Sequence, residues 1–327
     1  MKKAILTIFA AALLLLSGCS RIQKETLSYY TYFDTITQIT FYHSGDEETA
    51  KAIQNAAEDT LKSYHEAFDI YNTYENGENL ASLNEAPTSP HSLDPMVKEV
   101  LDFCLENYEN VKGKTNVFAG ALLSLWHDAR EDGGYIPSQS QIDEAVKHTD
   151  PGCFDLESMS FSDDKMSVDC GAVTKGAAAD ALAQSMKQAG AEAGVIDLGG
   201  NVLCFSSLKD KEYFTVGIQN PDGNGLAATA KVKDMSLVTS GDYQRTYTVD
   251  GKTYHHIIDP DTGYPGGEFS SVTVMHQSSL TADFLSTALF LMDEETGRKT
   301  AELYGAEVMW IKSDGTLTYT DGFPIIK

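Results

Sequence analysis

The spacing of apolar and polar positions divides the chain into helical and strand segments. Apolar residues recur every three or four positions over 47–71, 95–113, 140–148, 172–190 and 280–292, which is the period of one helix face. Strands are indicated by period-two alternation and by runs of β-branched and aromatic residues at 29–42, 165–171, 195–205, 213–220, 228–234, 236–251, 252–259, 270–276 and 306–320. Because short turns join consecutive strands, the pattern predicts an α+β fold of mainly antiparallel sheets with flanking helices.

The first residues form a pattern of their own. Lys2 and Lys3 precede an apolar run that ends at Leu16, which is the length of a signal peptide and too short for a permanent membrane span. Ser17 and Gly18 separate this run from Cys19, which stands at the position where bacterial lipoproteins are acylated. We interpret 1–18 as a signal peptide, Cys19 as the lipidation site, 19–28 as a tether and 29–327 as one domain. The predicted location is the extracytoplasmic face of the cell membrane, and an ordinary cleaved signal is the alternative.

Charge and cysteine usage narrow the classes of partner. The formal net charge is −24, and removal of Lys2 and Lys3 with the signal peptide makes it more negative by two. So acidic a surface repels phosphate backbones, which excludes nucleic acid as the expected partner. The other cysteines, Cys104, Cys153, Cys170 and Cys204, lack C-x-x-C spacing and are read as buried thiols.

The helix at 280–292 places polar groups among residues destined for the core. Asp283, Ser286 and Thr287 are three and four positions apart and therefore share one face. One interpretation is local capping and bonding back to the helix. The other is a hard-cation site, because carboxylate and hydroxyl oxygens suit Mg²⁺.

Two further segments carry candidate chemistry. At 168–180 a strand and Gly171 lead to Lys175-Gly176 at a helix start, which suits either phosphate binding or tight packing. At 252–259 a strand carries His255 and His256, whose side chains point to opposite faces of a continuous strand. We therefore expect only one of these two histidines to reach a functional site.

In this order, the segments resemble the ApbE family, the FAD:protein FMN transferases. The resemblance covers nearly all of the chain after the signal peptide. The matching residues are Phe33-Asp34-Thr35, Tyr74, Leu83-Asn84, Thr115-Asn116, Asp169, Gly171-Ala172, Lys175-Gly176, Ala178, Asp180, Gly199-Gly200-Asn201, Thr239-Ser240-Gly241, Tyr243, Arg245, His256-Ile257-Ile258-Asp259-Pro260, Thr262-Gly263, Pro265, Ala282-Asp283 and Ser286-Thr287-Ala288.

The resemblance implies a fold, a reaction and a set of site residues. The fold is the ApbE-like, T-fold-related architecture of two subdomains. The reaction moves the FMN part of FAD onto a threonine or serine hydroxyl of a flavoprotein or membrane redox subunit and releases AMP. His256 is implied as the catalytic base. Magnesium ligands are implied at Ala172, Asp283, Ser286 and Thr287, and FAD contacts at Phe33, Tyr74, Lys114, Thr115, Asn116, Asp169, Lys175 and Ile257.

Two positions depart from the family pattern, and two other activities stay open. Cys170 stands where many relatives have leucine, and Thr115-Asn116 where several have Phe-Asp, which leaves open whether Asn116 accepts a hydrogen bond from the ligand. One alternative activity is a Mg²⁺-dependent FAD pyrophosphatase in which water replaces the acceptor hydroxyl. The other is a lipid-anchored protein that binds flavin or another solute without catalysis.

Overall fold

The computed structural model describes residues 22–75, 77–208 and 212–326. Cys19 and the predicted signal peptide lie outside these ranges. The α-helices are α1 (Glu47–Phe68), α2 (Leu80–Glu85), α3 (Pro95–Asn107), α4 (Gly120–Glu131), α5 (Gln139–Val146), α6 (Thr174–Gln188), α7 (Ser279–Phe290) and α8 (Glu294–Tyr304). Within the described ranges, none of these helices has the length and apolar character needed to cross a membrane.

The strands are more numerous and mostly short. They are β1 (Gln23–Tyr29), β2 (Thr37–His43), β3 (Phe154–Asp155), β4 (Ser160–Phe161), β5 (Ala193–Leu198), β6 (Asn201–Phe205), β7 (Phe214–Gln219), β8 (Leu226–Val232), β9 (Met235–Gly241), β10 (Thr246–Val249), β11 (Lys252–His255), β12 (Ile258–Asp259), β13 (Tyr264–Pro265), β14 (Phe269–His276), β15 (Glu307–Lys312) and β16 (Leu317–Tyr319).

One large sheet organises the part of the chain that the structure describes. Its eight strands run in the order β1-β2-β5-β6-β9-β14-β15-β16, and every neighbouring pair is antiparallel. The remaining strands pair as two-stranded ribbons. The predicted α+β class with mainly antiparallel strands is confirmed, whereas the division into two subdomains stays a prediction.

The two faces of the sheet are covered by different elements. On one face, α6 packs against β5 and β6, and α7 packs against β9 and β14. The opposite face carries the β7–β8 hairpin. Strand alternation sorts the side chains accordingly: Val308 and Trp310 of β15 join the helical core, and Met309 and Ile311 join the hairpin side.

Helices α6 and α7 hold each other by reciprocal capping. Val173 precedes α6 and offers no capping side chain, and the Gly176 N–H instead donates to Asp283 Oδ2 of α7 at 2.9 Å. In return, the Asp180 carboxylate of α6 accepts the Ser279 and Leu280 N–H groups at the start of α7, at 2.9 and 3.1 Å. These contacts satisfy first-turn amides that have no partner within their own helix.

A glycine makes that close approach possible. A Cβ on Gly176 would lie 2.4 Å from the Ser279 carbonyl oxygen and 2.8 Å from the Asp283 Cβ. Such distances are too short for any side chain, so the two helices could not keep this separation with another residue at position 176.

Two predictions for the N-terminal part are wrong in detail. The predicted tether was polar, yet its residues from Gln23 onward form the edge strand β1, which pairs with β2 from Gln23↔His43 to Tyr29↔Thr37. The predicted strand at 29–42 is interrupted between β1 and β2 by a turn in which Phe33 and Asp34 have positive φ. Aromatic and β-branched composition does not reveal such a turn, because it conveys side-chain type and not backbone direction.

The predicted strand at 165–171 is also absent. This segment is extended without sheet pairing, and its backbone is satisfied in other ways. Val168 donates its N–H to the Asn84 Oδ1 at 2.8 Å, the Asn84 Nδ2 donates back to the Val168 carbonyl, and Asp169 donates its N–H to the Val117 carbonyl. The Asn84 side chain and the backbone of Val117 and Gly120 together take the place of a neighbouring strand.

Candidate functional site

A cavity of about 560 Å³ opens where α4, α6, α7 and the end of β11 converge. This volume lies in the range of small-molecule and cofactor sites. The cavity is lined by Phe33, Asp34, Thr35, Tyr71, Lys114, Thr115, Asn116, Ala119, Leu122, Leu123, Trp126, His127, Arg130, Asp169, Gly171, Ala172, Lys175, Gly199, Asn201, Gln219, Val238, Thr239, Ser240, Tyr243, Gln244, Arg245, Tyr247, His255, His256, Ile257, Ile258, Pro260, Asp283 and Thr287.

The charges on this lining differ from those of the whole chain. The chain has 48 Asp and Glu residues against 24 Lys and Arg. The cavity lining has Lys114, Arg130, Lys175 and Arg245 as cations against three aspartates, Asp34, Asp169 and Asp283. Lys114 is paired with Asp259 and Asp261, and Arg130 with Glu131, so among the described residues Lys175 and Arg245 are the lining cations without an ion pair. The lining is nevertheless far less acidic than the chain as a whole, which allows an anionic ligand to enter.

Asp283 and Thr287 form the α7 wall of the cavity. Asp283 is 4% exposed, and burial raises its pKa while Lys175 and the Gly176 N–H oppose that shift. The Gly176 bond fixes one carboxylate oxygen, Oδ2. Thr287 lies one helical turn further along, so its hydroxyl is on the same side of α7.

The oxygen atoms at this wall fit a hard cation. Asp283, Thr287 and Ala172 line the same cavity, and they offer a carboxylate, a hydroxyl and a backbone carbonyl. Magnesium prefers such oxygen ligands and keeps several waters or substrate oxygens. Within the described residues, no group of three or more His, Cys, Asp or Glu side chains is placed to hold a metal, so the wall does not have the nitrogen and sulfur donors typical of zinc or copper sites.

Ser286 is placed differently from its predicted role. It is fully buried and lies outside the cavity lining. Its hydroxyl donates to the Asp283 carbonyl at 2.9 Å and lies 2.8 Å from the Ser240 hydroxyl of β9. Ser286 therefore joins α7 to the sheet behind the cavity wall.

Asp169 and Lys175 flank the turn that carries Ala172. Asp169 accepts the Gly171 N–H at 2.8 Å, and burial raises the pKa of its carboxyl although the Gly171 bond and nearby cations oppose the shift. Lys175 lies at the start of α6, and within the described ranges its ammonium makes one long contact, of 3.4 Å, with the Gly171 carbonyl. Its ammonium is thus available to a ligand in the cavity.

The side chains of His255 and His256 do not point to opposite faces as the strand prediction requires. The strand ends at His255 and pairing resumes at Ile258 with a different partner, since β11 pairs with β10 and β12 pairs with β13. The interruption removes the strict alternation of faces, and both His255 and His256 line the cavity. The expectation that only one histidine reaches the site is therefore wrong.

Their hydrogen bonds nevertheless distinguish these histidines. His255 Nδ1 accepts the Ile257 N–H at 3.3 Å, and its ring packs edge-on against Phe290. His256 Nδ1 is buried without a hydrogen-bond partner among the described residues. Burial, followed by the charges of Arg245 and Lys175, lowers the pKa of His256 to about 3, so its imidazole is neutral near pH 7 and able to accept a proton.

The predicted FAD contacts at 114–116 line the cavity, but other parts of the protein already engage their side chains. Lys114 Nζ contacts Asp259 at 2.7 Å and Asp261 at 2.9 Å. Thr115 donates its hydroxyl to the Phe284 carbonyl of α7. Asn116 donates to the Thr149 carbonyl and accepts the Phe118 N–H. These side chains shape the cavity wall by holding loop 114–119 in place.

One of the two aromatic residues predicted to contact the ligand does not line the cavity. Phe33 lines the cavity together with Ile257, as expected, but Tyr74 does not. The Tyr74 hydroxyl donates to Asp69 at 2.7 Å. Tyr71 lines the cavity in its place. Its ring packs against the His127 ring with centroids 5.3 Å apart, but the residue is 63% exposed, so part of the ring stays accessible to a ligand.

Several lining residues had no role assigned from the sequence, although one of them, Arg245, belongs to the family pattern. Trp126, His127 and Arg130 lie on α4, where their spacing is that of one helix face, and Arg245 lies in the turn after β9. Trp126 donates its ring N–H to the Gly263 carbonyl at 2.8 Å, and Arg130 lies 3.2 Å from the His127 Nδ1. The available signal was the scarcity of cations in an acidic chain, which gives Arg130 and Arg245 more weight than ordinary surface residues.

Comparison with known proteins places the chain in a family. The model of the ApbE family matches residues 33–310, which is more than half of the 327 residues. The chain belongs to the ApbE family.

Named relatives and solved structures match this chain over most of its length. An FAD:protein FMN transferase of Vibrio cholerae serotype O1 is 28% identical over 323 residues, which cover 96% of this chain and 93% of that protein. One of Treponema pallidum is 31% identical over 257 residues, which cover 72% and 71%. The crystal structure of the ApbE protein from Thermotoga maritima superposes with a TM-score of 0.82 at 27% identity, over 91% of this chain and 97% of that one. The flavin transferase ApbE of Vibrio cholerae shares the fold, with a TM-score of 0.77.

Proposed function

We propose that this chain is a flavin transferase that moves the FMN part of FAD onto a threonine or serine hydroxyl of an acceptor protein and releases AMP. Membership of the ApbE family supports the class of enzyme, a transferase. The observation that carries the detailed proposal is the single cavity in which a neutral histidine, a free lysine and an oxygen-rich helix wall meet.

The reaction divides between these groups. The acceptor oxygen attacks the phosphorus of the FMN half, the bond from that phosphorus to the bridging oxygen breaks, and AMP leaves with the electron pair of that bond. The His256 imidazole takes the proton of the attacking hydroxyl, a role worth about 10²- to 10⁴-fold in rate. Lys175 and Arg245 neutralise the charge of the diphosphate.

Magnesium would be held at the α7 wall by Asp283, Thr287 and the Ala172 carbonyl. When bound there, it would act as a Lewis acid on phosphate oxygens. The protein contributes the orientation: the Gly176 N–H holds one oxygen of Asp283 in place, and Ser286 ties the same turn of α7 to β9. Gly176 and Ser286 both lie within helices, α6 and α7, and not in loops.

Binding of the anionic substrate would also prepare the base. The low pKa of His256 is caused first by burial and then by the cations Arg245 and Lys175. Phosphate charge near Arg245 and Lys175 would offset the part of the lowering that these cations cause and so raise the pKa of His256, while the larger effect of burial would remain. The imidazole then becomes a better proton acceptor at the stage when the acceptor hydroxyl is in place.

The partner and location form a second part of the proposal. We expect acylation at Cys19 to hold the enzyme on the extracytoplasmic face of the membrane, where it would meet membrane redox subunits and flavoproteins with an Asp-x-x-[Ser/Thr]-Gly-Ala-[Ser/Thr] motif. Detergent-phase partitioning of the expressed protein should be lost in Cys19→Ala. Equal partitioning of both forms would reject the anchor without affecting the reaction.

The deciding experiment uses the chain from residue 20 onward, FAD, Mg²⁺ and an acceptor domain that bears this motif. Intact mass spectrometry should show one FMN added to the acceptor and none to a matched acceptor whose motif threonine is replaced by valine. Release of free FMN and AMP without modified acceptor would identify a pyrophosphatase. Recovery of intact FAD after prolonged incubation would identify a flavin-binding protein without catalysis.

A further inference from the structure

The cavity contains a buried amide that has no role in the reaction described above. Asn201 is the first residue of β6 and lies beside Asp283 at the α7 wall. It is only 1% exposed. Its Oδ1 accepts the Ser279 hydroxyl at 2.7 Å, whereas its Nδ2 has no hydrogen-bond partner among the described residues.

An unpartnered buried donor requires an explanation. The great majority of buried polar side-chain atoms in folded proteins are hydrogen-bonded. Most of the unpartnered buried atoms in the described part of the chain belong to residues away from the cavity, and two belong to residues that line it: Asn201 Nδ2 and His256 Nδ1. His256 is assigned to proton transfer, so its free nitrogen has a function. By the same reasoning, the Asn201 amide points to a ligand atom.

Two neighbours fix which end of the amide faces the ligand. Ser279 is the first residue of α7, and its backbone is held by Asp180, so its hydroxyl is a rigid donor to Asn201 Oδ1. Asn201 also lies close enough to Asp283 to lower the pKa of that carboxyl, although the contact does not reach hydrogen-bond geometry. A flipped amide would turn its oxygen toward the carboxylate, which is electrostatically unfavourable.

We propose that Asn201 is a substrate-binding residue whose Nδ2 donates a hydrogen bond to a phosphate oxygen of the dinucleotide. The inference rests on the proposed function, because it takes the anionic ligand to be FAD. Asn201, Lys175 and Asp283 line the same end of the cavity, which is where the diphosphate is expected. A neutral amide adds donors there without competing with Asp283 for a cation.

The arrangement also explains why an amide is present and not a lysine. A second ammonium beside Asp283 would form an ion pair with the carboxylate and occupy the oxygen needed for the metal. Asparagine supplies two N–H donors without net charge. The Ser279 bond uses its acceptor end, so the donor end lies toward Asp283 and the ligand side of the α7 wall.

The test measures flavin binding in the presence of EDTA, so that no metal contributes and no turnover occurs. Fluorescence quenching gives Kd for FAD, which carries the diphosphate, and for riboflavin, which carries none. Asn201→Ala should weaken FAD binding about tenfold, because a hydrogen bond to a charged group is lost. Riboflavin binding should change by less than twofold.

Two matched variants test the orientation. Asn201→Asp keeps the shape and the Ser279 bond but replaces the donor by a negative oxygen, so FAD affinity should fall further than in Asn201→Ala. Ser279→Ala keeps the amide but releases its orientation, so FAD affinity should fall by a smaller factor of about two to three. Circular dichroism melting of each variant separates folding defects from binding defects, and Ser279→Ala carries the test if Asn201→Ala does not fold.

Three outcomes would overturn the inference. Unchanged FAD affinity in folded Asn201→Ala would show that the amide does not touch the substrate. Equal weakening of FAD and riboflavin would show that the change disturbs the cavity as a whole. Failure of the wild-type chain to bind FAD would reject the proposed function and this inference together, whereas binding and transfer by the wild type with unchanged variants would reject the inference alone.

Discussion

Helices α7 and α4 line the same cavity from different structural settings. Almost all of α7 is buried. Asp180 of α6 fixes its start, and the Thr115 hydroxyl donates to the Phe284 carbonyl in its middle. Helix α4 packs on the small core around Trp126 and presents its outer face to solvent. Its cavity-lining polar residues, His127 and Arg130, are partly exposed.

The contrast between the buried α7 and the partly exposed α4 indicates which helix suits catalysis and which suits substrate binding. In the proposed function, groups that hold a metal and a reacting phosphate need fixed positions, and α7 would provide them because α6, α8, β6, β9 and β14 pack against it. Groups that recognise the outer part of a substrate can tolerate movement, and α4 gives them at the mouth of the cavity. Loss of an α7 group should therefore affect turnover, and loss of an α4 group should affect binding.

The largest effect is expected at Asp283. Asp283→Asn keeps an oxygen for the Gly176 N–H but removes the negative charge, so FMN transfer should fall about 10³-fold, which corresponds to several kcal/mol of transition-state stabilisation. The measurement is the single-turnover rate of acceptor modification. Asp293→Asn, at the exposed N-cap of α8, serves as the control and should keep full transfer activity. Full activity of Asp283→Asn would remove α7 from the chemistry.

The next effect separates the adjacent histidines. His256→Gln should reduce transfer about 10²-fold or more while FAD affinity stays within a few-fold, because the free imidazole nitrogen acts on the proton and not on the ligand. His255→Gln should leave transfer nearly unchanged and lower the free energy of unfolding by about 1 kcal/mol, through loss of its bond to the Ile257 N–H. Equal losses of transfer in the two variants would contradict the assignment of the base.

A smaller effect is expected on α4. Arg130→Gln should raise KM for FAD about tenfold and leave kcat within a factor of two, because a cation at the cavity mouth stabilises substrate and transition state alike. The matched control is Arg298→Gln, which removes an arginine of α8 that stacks over the Trp310 ring of β15. This change should leave KM unchanged. A collapse of kcat in Arg130→Gln would mean that α4 also takes part in the reaction.

The smallest effect concerns acid stability. The pKa of His256 in the folded protein is about 3, below the value of about 6.5 in an unfolded chain. The unfolded state therefore binds more protons as the pH falls below 6.5, and wild-type stability decreases in that range. Between pH 6.5 and 5.5 this contribution is about 1 kcal/mol. Urea unfolding of His256→Gln should lack it, and identical pH dependence of the two proteins would show that the histidine is not buried as described.

The sequence revealed the polar cavity face of α7, because an aspartate in an apolar helix is conspicuous and Asp283 and Thr287 both line the cavity. It did not reveal that of α4, because Trp126, His127 and Arg130 fit the ordinary pattern of a half-exposed helix. Period-two alternation across 252–259 could not show that the chain changes strand partner after His255. Tyr74 and Tyr71 are three residues apart, and only the bond from Tyr74 to Asp69 decides which ring faces the cavity.

Long-range contacts account for most of what the sequence could not reveal. Thr115 reaches α7 across 169 positions, and Asn84 replaces a strand for Val168 across 84 positions. Periodicity describes the chain over a few turns or strands, whereas such bonds depend on how distant segments meet. The strands of the sheet were predictable because the alternation of their side chains is a local pattern. The loops around the cavity were not predictable, because bonds between distant segments hold them.

The bond between Gly176 and Asp283 has a consequence for isotope exchange. An amide in the first turn of a helix normally exchanges its proton with solvent quickly, because no carbonyl within the helix holds it. The Gly176 amide is held by a buried carboxylate of another helix, so its exchange in deuterium oxide reports whether that carboxylate is in place. A single backbone signal can therefore follow the integrity of the α7 wall in a protein that is neither turning over nor bound to flavin.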